Sequence, residues 1–92
     1  VKAGCMAQYL EVLKGNVPTV KAEPGCIEYQ PAVDVDAGLP KQKKNADTVV
    51  ILEKWDSLEA LRLHLATPHM AAYREKVKDL IDNVSLKVMQ DA

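Results

Sequence analysis

The stretch LHLATPHMAAY, residues 63–73, carries both histidines of the chain, His64 and His69, with Thr67-Pro68 between them. Imidazole changes charge near neutral pH and works as a general acid, a general base or a ligand, so this pair is the first place to look for chemistry. On a helical wheel His64 falls beside the stripe Leu58, Leu61 and Leu65, and His69 beside Met70, Tyr73 and Val77. An edge position suits a ring that lines a pocket between helix and sheet. It suits equally a half-exposed ring with no duty, because histidine is intermediate in burial. The helix ends separate the two: His64 near a carboxyl end favours the charged ring, and His69 at the second position of a new helix favours the neutral one.

Four other side chains join the candidates. Trp55 closes an apolar strand and shares parity with Val49, Ile51 and Glu53, so its ring either fills the core or stacks on a flat ligand. Tyr29 and Tyr73 fall within apolar patterns, where their hydroxyls need partners. Glu53, at inward parity, needs a partner too: a histidine, an arginine such as Arg62 or Arg74, or a second subunit. Cys5 and Cys26 lie far apart with no CxxC or Cys/His spacing, and nothing near Cys26 in sequence activates a thiol. No dinucleotide fingerprint, phosphate loop or metal-ligand spacing occurs. The expectation is therefore a site with no cofactor and no metal.

The elements that must hold these residues are legible from periodicity. Met6, Leu10, Leu13, Val17 and Val20 recur at helical spacing, predicting a helix from Cys5 to Val20 with a loosened turn at Gly15–Val17 before Pro18. Glu23-Pro24-Gly25 ends it. Cys26–Gln30 alternates as a strand, Asp34–Asp47 reads as a long loop, and Thr48–Leu52 is a second strand, apolar at both parities. Asp56 or Ser57 caps the next helix, with Glu59 placed to complete a capping box from Asp56. Thr67 caps a further helix with Pro68 in its first position and Met70, Tyr73, Val77, Leu80 and Ile81 on its buried face. Val84, Leu86 and Val88 alternate as a last strand. This is an α+β order, and a ferredoxin-like unit would start with one more strand, of which only Val1-Lys2-Ala3 stands here; that strand is expected to be truncated.

The 92 residues, 48% of them apolar, predict a single domain, 1–92. A formal charge of −1 gives no case for nucleic acid or an anionic membrane, and Lys41–Asn45 reads as a solvated loop. No stretch approaches a membrane span and no signal peptide is evident, so the expected setting is the cytoplasm with reduced thiols. Helices can cover one sheet face, and the apolar parity of the second strand asks for cover on the other. A homodimer packed through the sheet face is the expected answer.

EPGCIEY (23–29), ILEKWDSLEAL (51–61) and HLATPHMAAY (64–73) resemble the successive signature segments of the antibiotic biosynthesis monooxygenase family, quinol monooxygenase type. The resemblance implies a dimeric α+β barrel of two ferredoxin-like subunits. It also implies oxidation of a small quinol or polycyclic phenol by dioxygen without metal, flavin or haem. Fold does not fix function, however, and a noncatalytic dimeric ligand-binding or stress-response module of the same fold is the other reading. In the haem-degrading relatives, as the resemblance runs, His64 would stand where they carry a tryptophan and Tyr73-Arg74 where they carry the haem ligand, which argues against haem. Within the oxygenase reading His69 is the candidate general base and His64 the donor to a phenolate or oxygen species, with Trp55, Tyr29, Tyr73 and Glu53 around the substrate.

Overall fold

Tyr9, Leu13 and Val20 lie on one side of the first apolar repeat, and in the computed structural model, which describes residues 1–92, they are the buried face of α1 (Met6–Lys21). The helix runs unbroken through Pro18, so the expected loosening before it is absorbed without a break. It ends at Ala22, whose N–H donates to the Pro18 carbonyl at 3.2 Å. Gly25 then reverses the chain at φ +83°. A Cβ on Gly25 would sit 2.6 Å from the Ala60 Cβ and 2.6 Å from Asp56 Oδ1. Gly25→Ala is therefore expected to cost about 2 kcal/mol, from the left-handed backbone alone and before any clash is relieved; a urea melt unchanged from the parent would contradict the close approach.

β1 (Cys26–Val33) and β2 (Val49–Trp55) form an antiparallel pair with Tyr29 opposite Glu53, Pro31 opposite Ile51 and an irregularity between Cys26 and Glu28. Both strands run past the limits read from the sequence. Val49, Ile51, Glu53 and Trp55 share the inward parity that the alternation predicts, while Val50 and Leu52 stand 47% and 52% exposed on the opposite face. The long loop follows β1 as expected. It is tied by Asp36 to Lys44 at 3.0 Å and by the Asn45 N–H to Asp34 at 2.7 Å.

After β2, Ser57 alone caps α2 (Leu58–Leu65), accepting from the Ala60 N–H at 3.1 Å. Because the cap is Ser57, Glu59 is one position too early for a capping box. Thr67 caps α3 (Pro68–Val77) through the Met70 N–H at 3.3 Å, with Pro68 at the start, as the sequence predicts. The core gathers Tyr9, Leu13, Val20, Tyr29, Met70, Val77 and Leu80. α1 lies on β1, α2 on β2, and α3 beside α1. Helices thus cover one face of the sheet, giving an α+β architecture consistent with the ferredoxin-like expectation.

Two expectations need correction. Val84, Leu86 and Val88 form no strand; they are 78%, 66% and 52% exposed. Period two makes a strand only when the segment docks on a sheet edge, and residues 84–88 pair with neither β1 nor β2, the two strands of the sheet. Residues 1–3 likewise form no strand, and the Lys2 N–H bonds the Leu80 carbonyl at 2.9 Å. The second correction concerns α2: Leu58 and Leu65 are exposed, and its one buried residue is His64. The inward face runs through Ala60, Leu61 and His64 rather than along the leucine stripe. No helix is long and apolar enough to cross a membrane.

Candidate functional site around Glu23

The reversal after α1 places one carboxylate where the end of α2 and the start of α3 meet. Glu23 Oε2 lies 2.8 Å from His64 Nδ1 and 2.9 Å from His69 Nε2. The Thr67-Pro68 break makes this possible: a continuous helix would carry residues five apart about 140° from one another, whereas the restart turns both rings onto a single oxygen. Thr67 reinforces the joint, its hydroxyl donating to the His64 carbonyl at 2.9 Å and lying 3.3 Å from His69 Nε2. The Glu23 side chain is 10% exposed, and those of His64 and His69 are 1% and 28% exposed. His64 is thus not an edge residue but a buried one. Its polar ring is tolerated there because a carboxylate receives its N–H.

His64 also gathers the aromatic candidates. Trp55 lies against it with ring centroids 4.6 Å apart, and Tyr29 meets it edge-on at 5.6 Å. Glu53 finds its partner next door, accepting the Trp55 indole N–H at 3.0 Å, and its carboxylate lies 3.9 Å from His64 Nε2. The space between α2 and the sheet is therefore occupied by packed rings beside His64. Tyr73 stands apart from this group: its hydroxyl bonds that of Tyr9 at 2.7 Å. Together with His69, Tyr73 lines a groove between α1 and α3 that also includes Val12, Gly15 and Asn16.

The two histidines consequently face different surroundings. All hydrogen bonds of His69 run through Nε2. With that N–H held on Glu23, a neutral ring carries its lone pair at Nδ1 and is accessible from outside, the carboxylate-oriented arrangement that suits a general base. His64, enclosed and pinned, positions Glu23 and the Trp55 ring. Glu23 is the site residue that the sequence does not mark, since there it figures only in the helix-ending turn Glu23-Pro24-Gly25.

Tyr29 and Tyr73 resist ionisation. Burial raises both, aided at Tyr29 by the negative charge of Glu53 and at Tyr73 by the hydrogen bond with Tyr9. The Cys26 thiol is also pushed up, by burial first and then by Glu23 and Glu53, which fits its assignment to structure. A phenol whose folded ionisation lies above the unfolded value stabilises fully below about pH 10 and loses that contribution as pH rises further. Thermal stability is expected to fall as pH rises above about 10, and Tyr73→Phe should flatten the decline; equal slopes in both proteins would refute the assignment.

The model of the antibiotic biosynthesis monooxygenase family matches residues 1–76. "Probable quinol monooxygenase YgiN" of Escherichia coli K12 is 43% identical over 74 residues, covering 80% of this chain and 71% of that protein, and its Shigella flexneri counterpart matches equally. A crystal structure from Deinococcus radiodurans, described as a "putative antibiotic biosynthesis monooxygenase", superposes with a TM-score of 0.67. It covers 98% of this chain and 91% of that one at 22% identity, a likeness of fold.

Proposed function

The chain belongs to the antibiotic biosynthesis monooxygenase family, and from that premise we propose that it oxidises a small quinol or polycyclic phenol with dioxygen, without a cofactor, using His69 as the base. The observation that carries this reading is the His69 ring, partly exposed beside the groove and oriented from behind by Glu23. The steps ask little of the protein. His69 Nδ1 takes a phenolic proton, the aryloxide passes an electron to dioxygen, and the two radicals join at a ring carbon. The peroxide so formed takes the proton back from His69 and, with the hydrogen of the same ring carbon, loses water to leave a quinone, so one oxygen atom enters the product and the other leaves as water. Tyr73 at the groove is held as a phenol and supplies contact and hydrogen bonding to the substrate oxygen. His64 holds the other side of Glu23, with Trp55, Tyr29 and Glu53 around its ring.

The test is oxygen uptake with a panel of dihydroquinones and polycyclic phenols, corrected for autoxidation. Saturable uptake with quinone formation, lost in His69→Ala, supports the reading; rates at the autoxidation level throughout would return the chain to a binding module.

We propose in addition that two copies pair through the sheet face away from the helices. Val50 and Leu52 lie half-exposed there with Lys54 at the end of the row, and an apolar patch of this kind is usually covered. Leu52→Glu is expected to give a monomer by light scattering. A parent protein that is itself monomeric at micromolar concentration would overturn the pairing.

A further inference from the structure

Glu23, His64 and His69 offer three ligand atoms that lie within 4.8 Å of one another and come from three separate segments. We propose that this cluster is a binding site for a divalent first-row transition ion, with zinc or cobalt as the type case, and that loading it silences the base.

Geometry is the first support. Ligands about 2.1 Å from a metal and at the tetrahedral angle are about 3.4 Å apart, and the Glu23 oxygen stands 2.8 and 2.9 Å from the two nitrogens. An ion can replace the shared protons once the side chains open by about 0.5 Å. The donor set, two imidazoles and one carboxylate, is one that such ions favour over calcium or magnesium.

The surroundings supply the rest. A metal-bound imidazole ordinarily donates its other N–H to a carboxylate, and His64 Nε2 has Glu53 at 3.9 Å, itself fixed by the Trp55 indole. His69 is 28% exposed and lines the α1–α3 groove, which gives an ion a way in and leaves room for water in the remaining coordination positions.

Binding needs no net loss of protons from neutral rings, because each proton shifts to the far nitrogen. At His64 it moves from Nδ1 to Nε2, on the side where the Glu53 carboxylate lies 3.9 Å away. At His69 it moves from Nε2 to Nδ1, so the lone pair that would accept a phenolic proton becomes an N–H. Metal binding is independent of the oxygenase reading; the silencing of the base rests on it.

The chelated protein is titrated with Co²⁺ and its visible d–d bands are followed, with Zn²⁺ displacement as the second readout. One ion per chain is expected. His69→Ala and Glu23→Gln should each weaken binding by at least about tenfold, with melting of the metal-free variants confirming that they are folded. A Cys5→Ser/Cys26→Ser protein should bind as the parent does. Absent bands, bands that survive in His69→Ala and Glu23→Gln, or bands lost with the cysteines would overturn the site. In the uptake assay, stoichiometric Zn²⁺ should stop oxygen consumption and chelation restore it, and uptake indifferent to bound Zn²⁺ would overturn the silencing. If the metal-free protein consumes no oxygen, the oxygenase reading fails while the cobalt bands still decide the metal site.

Discussion

His69→Ala is expected to lower kcat for quinol oxidation by about 10²–10⁴-fold, the usual share of a positioned general base, while leaving the fold intact. The side chain is 28% exposed and stands near the start of α3, where Thr67 still caps the helix and Glu23 still receives the His64 N–H. Added imidazole should restore part of the rate, because the groove beside residue 69 opens to solvent. A structural role would give no such rescue. Glu23→Gln should fall less steeply and retain its KM, since the amide still holds the ring but orients it less firmly. An His69→Ala protein that turns over at the parental rate would remove the base assignment altogether.

His64→Ala should be the most damaging single change to stability, at about 3–5 kcal/mol, as when one member of a buried ionic or strongly hydrogen-bonded pair is removed. Three losses coincide. The Trp55 and Tyr29 rings lose the partner packed between them, a cavity replaces the imidazole, and the Glu23 carboxylate keeps only one of its two donors. Against a domain stability of about 5–15 kcal/mol this is a large fraction. Leu58→Ala, six residues away on the same helix and 58% exposed, should change stability by less than about 0.5 kcal/mol. Urea melts of the two proteins give the comparison, and similar midpoints would mean that the ring is not the keystone that its burial implies.

That contrast marks where periodicity stopped informing. Around α3 the reading and the structure agree closely, since Thr67, Pro68, Met70 and Val77 are placed by local rules of capping and spacing. In α2 the wheel weighted Leu58 and Leu65 as inward and His64 as marginal, because hydropathy scores an imidazole as polar whatever receives its proton. Its acceptor, Glu23, is 41 residues away in sequence, and His69 is 46 away from the same oxygen. No window of helical or strand length spans such a pairing. The one available signal was an acid placed immediately before Pro24-Gly25, in a segment leading straight into the strand that pairs with Trp55. Val84–Val88 shows the converse limit: alternation is local, but a strand exists only by courtesy of an adjacent edge.

The same long separations set an order in time. α1, α2 and α3 rely on near neighbours and the β1–β2 pair joins residues 16 to 29 apart, whereas the two bonds to Glu23 close only when the chain ends of three elements have already met, with the entropy of loops over 40 residues to overcome. The cluster is therefore expected to assemble after the folding barrier. Substitutions in it should accelerate unfolding and leave the refolding rate nearly untouched, so a chevron plot of Glu23→Ala would move on its unfolding limb alone.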